Sequence, residues 1–233
     1  MMKIAKLVIM AGVMLCLAIP AHAEDIKLTD RMVHLSGGIS SKLINKATTK
    51  LLELEGESHD PIWLMIDSYG GSVDAGYILI DTIEGMQSPV HAVVVSKAYS
   101  MAAIITAYCT KRYIYPHATM MFHEASYGAI GEAPSIRSRV EFNERYLDRI
   151  HRELAKILKL STKKYRERIR DAWWVLAQEA VNAHMVDAIV TSVSYRKLPT
   201  STTEIKRTTT VKQKRSYRIG EGPGATPIDG PSK

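Results

Sequence analysis

The sequence predicts an α/β fold with crossover connections, and three observations carry that expectation. Short β-branched or apolar runs alternate with stretches whose apolar residues recur at three- and four-residue steps. Small residues and glycines mark the junctions between them. The order is strand then helix, repeated, which requires parallel strands joined by crossovers rather than hairpins.

The first residues stand outside this pattern. Lys3 and Lys6 precede an almost uninterrupted apolar run over 7–19, and Pro20-Ala21-His22-Ala23 offers a small-x-small site before Glu24. Residues 1–23 therefore read as a secretory signal peptide cut after Ala23, which implies an exported, periplasmic or secreted protein with no membrane span after cleavage. The alternative is an uncleaved membrane anchor, although the run is short for a hydrocarbon core of roughly 30 Å. Leu15 occupies the place where a lipoprotein signal carries a small residue before its cysteine. Cys109 is then the one cysteine left in the mature chain, so no intramolecular disulfide forms.

The folded domain is expected over 24–197. Residues 31–35 read as a first strand ended by Gly37-Gly38. A helix follows with Ile39, Leu43, Ile44, Ala47, Leu51 and Leu52 on one face, then a buried-type strand over 62–66. After Gly70-Gly71 a helix over 73–86 points Ala75, Ile78, Leu79 and Ile83 inward. A strand over 90–95, a helix over 100–109 and short strands over 112–115 and 118–122 come next. Residues 135–160 form a long charged helix with a single narrow stripe of Ile136, Val140, Leu147, Ile150, Leu154 and Ile157. One stripe on so long a helix fits either projection from the body onto another subunit or packing on its own domain. A short helix over 177–185 and a strand over 186–190 close the domain. Residues 198–233 are rich in Thr, Ser, Lys, Gly and Pro and read as a basic, disordered tail.

The formal charge of +7 does not point to nucleic acid. Lys3 and Lys6 leave with the signal, and the tail carries seven Lys/Arg against Glu204, Glu221 and Asp229, so the globular part is close to neutral. A phosphate loop is excluded because no Lys-Ser/Thr ending follows the glycines. His123-Glu124 lacks the second histidine of a zinc-binding helix, so neither a metal nor a cofactor is expected.

Ser100 sits where a β-branched strand breaks into Ala98-Tyr99-Ser100-Met101-Ala102-Ala103 and a helix begins. A hydroxyl there lies near the positive end of a helix dipole and near backbone N–H groups that can face an oxyanion. The same position suits a plain helix N-cap. A nucleophilic serine needs a base, and the base needs an orienting group. His123, directly after an apolar strand, suits the base; Asp171 suits the orienter, although its arginine-rich surroundings equally suit an ion pair. At the upstream junction Asp67-Ser68-Tyr69-Gly70-Gly71-Ser72-Val73 a glycine N–H and the N–H of Met101 are placed to form an oxyanion hole.

These pieces resemble the proteolytic subunit of the Clp protease, a serine peptidase of the crotonase-like superfold. The resemblance runs from Arg31-Met32-Val33-His34-Leu35-Ser36-Gly37 through Gly70-Gly71-Ser72-Val73, Ser100-Met101, Met121-Phe122-His123-Glu124 and Arg170-Asp171-Ala172-Trp173 to Met185-Val186-Asp187. It implies repeated β-β-α/β-α units and a projecting handle helix from Ser135. It implies Ser100 as nucleophile, His123 as base, Asp171 as orienter, and Gly71 and Met101 as oxyanion donors. A substrate groove along Gly70, Ser72, Val73, Ala125 and Gly128, with a groove-lining strand after His123, follows from it too, as does a homo-oligomeric ring acting on peptides or unfolded protein segments.

Departures from the family pattern are Tyr99 for alanine, Ala102 for glycine, Glu124-Ala125 for Gln-Pro, and one extra residue between Asp171 and Glu179. Only Glu24 to Asp30 precede the expected first strand, where family members that dock an ATP-driven unfoldase carry a longer loop, and an exported protein meets no cytosolic ATPase. An ATP-independent peptidase, or one with an unknown partner, is therefore expected. The competing readings are a catalytically silent peptide-binding or scaffold relative, acyl-CoA chemistry on the same superfold, and a Ser-Lys dyad using Lys97 or Lys156.

Overall fold

The computed structural model describes residues 22–198. Most of the expected signal segment and nearly all of the basic tail lie outside the described residues. Mainly parallel pairing organises the described residues into one sheet of eight strands, ordered β1-β8-β5-β4-β3-β2, with β6 and β7 branching from β4. The strands are β1 (Ala23–Thr29), β2 (Met32–Ile39), β3 (Ile62–Gly71), β4 (Val90–Tyr99), β5 (Lys111–Ile114), β6 (Thr119–Phe122), β7 (Trp173–Leu176) and β8 (Ala188–Arg196). The helices are α1 (Ser41–Glu57), α2 (Val73–Gly85), α3 (Met101–Tyr108), α4 (Ala133–Ile157), α5 (Thr162–Ile169) and α6 (Ala177–Asn182).

The main core lies between the sheet and the helices. It joins Leu35, Leu64, Ile66 and Val94 of the strands to Ile44 and Leu51 of α1, Leu79 and Ile83 of α2, and Met101 and Ile105 of α3. A smaller cluster fills the other face, where Ile26 and Leu28 of β1 meet Trp63, Met65, Val93 and Tyr113. The sheet therefore curls until the β1–β8 pair covers the outer side of β3, β4 and β5. Arg31 pins the far end of this packing. It is almost fully buried, and its guanidinium donates to Leu54 O at 2.9 Å and Ser58 O at 2.7 Å, satisfying carbonyls at the end of α1.

Several elements differ from expectation. The strand over 31–35 is not the first: β1 precedes it, paired in parallel with β8, and begins at Ala23, the last residue of the expected signal segment. β8 runs on to Arg196 because β1 gives it a partner. Gly37-Gly38 do not end β2 but lie in a register shift inside it. Ile39 belongs to that strand rather than to α1. Leu52 and Ile78, expected on inward faces, are exposed, and Leu54, Tyr77 and Ile80 take the buried positions. α5 and β7 were not expected as regular elements. In α4, burial is confined to Ile150, His151, Leu154 and Ala155 near its end, so Ile136 and Val140 are only partly covered. No described helix is long and apolar enough to cross a membrane.

Candidate active site

Three parallel strands end side by side, and their carboxyl ends carry the candidate residues. β3 ends at Gly70-Gly71, β4 at Tyr99 just before Ser100, and β6 at Phe122 just before His123. Ligands bind at such carboxyl ends in open α/β sheets because loops and helix N-termini converge there. β4 makes the convergence possible by changing partner along its length. Its first half pairs with β5 through His91↔Lys111 to Val94↔Ile114, and its second half pairs with β6 through Lys97↔Thr119 to Tyr99↔Met121. That switch lays β6 directly beside the end of β4.

Ser100 adopts φ +55° and ψ −125°, a backbone conformation costly for a side chain other than glycine. Its neighbours hold it there: its N–H donates to Met121 O at 2.8 Å, and its carbonyl accepts from Ile104 N at 3.1 Å. The hydroxyl makes no capping bond to α3. Instead Ser100 Oγ lies 2.7 Å from Nε2 of His123. A serine at a strand-to-helix turn with positive φ has the geometry of a nucleophile elbow, which lifts the hydroxyl out of its helix and toward a base. Met101 is the first residue of α3, so its N–H has no partner within the helix and lies next to Ser100.

The glycine junction closes against this elbow. Gly70 has φ +87°, and a Cβ there would meet Tyr99 O at 2.5 Å, Ser100 Cβ at 2.7 Å and Met101 N at 3.0 Å. Gly71, at φ +148°, backs onto the Ile39 backbone. Ser68 locks the turn from beneath, donating from its hydroxyl to Gly37 O at 2.5 Å and accepting from Gly70 N at 3.1 Å. This fully buried serine was not singled out from sequence; a small polar residue two places before a Gly-Gly pair is the signal that finds it.

Residues 22–193 match the family model for the Clp protease. The chain belongs to the Clp protease family. The match covers nearly all of the described residues and implies a peptidase, normally of the serine type.

Other candidate nucleophiles and bases in this Clp protease family member have a less suitable setting. The Cys109 thiol is buried and its pKa is pushed up to about 12 by desolvation, which keeps it protonated and inert. Lys97 donates to Asp67 Oδ1 at 2.6 Å, and that hydrogen bond raises its pKa, which favours the ammonium over the free-amine base that a Ser-Lys dyad needs. Two cavities, of about 510 and 600 Å3, open elsewhere and are lined by neither Ser100 nor His123. Among the described residues no group of His, Cys, Asp or Glu is arranged to hold a metal ion.

Asp171 is brought near but not joined. The antiparallel ladder of β6 and β7 ends with Phe122↔Trp173, so Asp171 lies two residues beyond the rung next to His123. Its side chain is 79% exposed and accepts from Arg170 Nη2 at 3.0 Å; no hydrogen bond links it to His123. The arginine-rich local context noted in the sequence accounts for this pairing. Ala172, the next residue, holds φ +61°. Of the expected groove residues, Ser72 uses its hydroxyl to cap α2, accepting from Ala75 N at 3.2 Å, and Val73 begins that helix. Ala125 and Gly128 lie in a stretch with no strand pairing, so the groove-lining strand expected after His123 is not formed. Within one chain that stretch has no neighbouring strand to complete its hydrogen bonds. Glu124 is anchored to α4 instead, 3.4 Å from Nε2 of His151. Tyr99 stands edge-on to both Tyr69 and Trp174, two aromatic residues that the sequence reading left aside.

Proposed function

We propose that this chain is a serine peptidase that hydrolyses peptide bonds through Ser100 and His123. The observation that carries the reading is the 2.7 Å contact between Ser100 Oγ and His123 Nε2, made by a serine held at positive φ and released from any cap. In this mechanism neutral His123 takes the Ser100 proton as Oγ attacks the scissile carbonyl. The N–H groups of Gly71 and Met101 receive the oxyanion. His123 then protonates the leaving amine, and water completes the cycle through the same base. Asp171 completes a triad by exchanging Arg170 for His123 Nδ1, an exchange open to a carboxylate on an exposed turn. Gly70, Ser72, Val73, Ala125 and Gly128 line the groove for the acyl side of a peptide or unfolded segment.

The same reading makes the protein an exported homo-oligomeric ring that works without a cytosolic ATPase, its signal segment cut after Ala23. Its support is the residue pattern at the amino end and the family membership. A second reading, a catalytically silent relative that binds peptides, is favoured by one observation: Asp171 is engaged by Arg170 rather than by His123. An active-site fluorophosphonate probe separates the two. Labelling of the full chain that Ser100→Ala abolishes is the expected result. A folded protein that takes no label would establish the silent relative.

A further inference from the structure

The sheet face that bears His123 also bears exposed aromatic rings that the mechanism leaves without a role. Side chains alternate along a strand. Ala98, Met120 and Val175 point into the core, so Tyr99, Met121 and Trp174 point the other way. Tyr99 and Met121 are ladder partners, as are Met121 and Trp174. Tyr69 of β3 extends the row: its ring centroid lies 6.0 Å from that of Tyr99, which lies 4.9 Å from that of Trp174, both edge to face. The Tyr99 hydroxyl is tied to Thr119 Oγ1 at 2.7 Å, which fixes the central ring. Tyr69 is 66% exposed and Trp174 58%. Lys97, which lies over the Tyr69 ring, is neutralised by Asp67, so the row offers ring surface rather than charge.

Its place relative to the reacting groups determines what it meets. Tyr69, Tyr99 and Met121 come one or two residues before Gly70, Ser100 and His123 on three parallel strands. The groove for the acyl side is made by residues at or after those points. A peptide whose acyl part follows the groove, with its scissile carbonyl at Ser100, leads its leaving part back over the strands and onto the rings.

We propose that Tyr69, Tyr99 and Trp174 form a specificity site for an aromatic side chain on the leaving-group side of the scissile bond. The inference rests on the serine-peptidase reading and names the substrate class for it. Aromatic rings stack edge to face with one another at these spacings, and a substrate ring would cover the two exposed ones.

The test uses the full chain and quenched peptides identical except for one leaving-side residue: Phe, Tyr or Trp against Ala or Glu. The expected result is a kcat/KM roughly tenfold or more in favour of the aromatic peptides, falling to within about twofold in Trp174→Ala and Tyr69→Ala. Tyr99→Phe, which keeps the ring, retains most of the preference. Fluorophosphonate labelling of the parent protein is read in parallel. Labelling and hydrolysis without an aromatic preference overturn this inference alone. Neither labelling nor hydrolysis overturns the serine-peptidase reading and takes the inference with it. Dissociation of an oligomer by Trp174→Ala, with the preference intact, would make the row a contact between copies and overturn the site.

Discussion

The two sides of the candidate active site are built differently. Ser100, Gly70 and His123 stand at strand ends, fixed by ladder rungs, by the Ser100 N–H to Met121 bond and by the buried Ser68 beneath. Asp171, Glu124 and the stretch through Gly131 stand on exposed backbone; Asp171 is held by the Arg170 ion pair and Glu124 by a polar contact to His151. Ser100 and His123 are thus preorganised by main-chain geometry, while Asp171 and the stretch after His123 depend on contacts that change at little cost. Exposed ion pairs such as Arg170–Asp171 are weak, so Asp171 is easily recruited elsewhere.

The sharpest way to break this comparison is Asp171→Asn. If Asp171 moves onto His123 in the working enzyme, kcat falls by about 10⁴-fold, as expected when an orienting carboxylate is lost. A loss below tenfold in steady-state peptide hydrolysis would leave Ser100 and His123 as a dyad. Next in size is Gly70→Ala. The added Cβ pushes on Tyr99 O and Ser100 Cβ, and a displacement of the nucleophile on the order of 1 Å costs about 10²-fold in kcat/KM. Fluorophosphonate labelling rates report it directly.

Arg31→Ala acts on stability. It strips the donors from Leu54 O and Ser58 O and should lower the unfolding free energy by about 3 kcal/mol in urea titrations. Labelling of Ser100 below the transition persists, because these bonds lie at the opposite end of the strands. The smallest effect concerns pH and the adaptable side. Burial holds the His151 pKa below its ordinary value, with Glu124 pulling the other way. The unfolded chain therefore binds this proton first, and the neutral folded form loses stability as pH falls below about 6.5. Thermal melts from pH 7.5 to 5 should drop by roughly 2 °C more for the parent than for His151→Phe.

Much of the fixed side was readable from residue order. Ile62 to Ile66 and Val90 to Val95 are mainly apolar runs that form strands wherever they are buried; the breaks after them place Gly70-Gly71 and Ser100, and the run over 118–122 places His123. What local pattern did not carry was pairing over long range. β1 is half acidic and basic on its outer face, and only Ile26 and Leu28 turn inward, so its strand character comes from β8, more than 160 residues on. α5 hides a two-residue core contact, Tyr165 and Ile169, in a charged run. β7 begins at a turn with positive φ at Ala172, which side-chain type does not announce. Trp174 joins its row of rings only through β7, so that row is equally invisible in local pattern.

One consequence of the partner switch along β4 concerns insertions and deletions. Loops of this kind ordinarily tolerate a gained or lost residue, but the turn over 115–118 links the strand that pairs with the first half of β4 to the strand that pairs with the second half. Side-chain direction in a strand has a period of two. A single deletion in this turn that slips β6 by one position would reverse every residue on it, exchanging Met120 for Met121 in the core and turning His123 away from Ser100. The spacing between Ser100 and His123 is thus a matter of counting, and this short turn keeps the count.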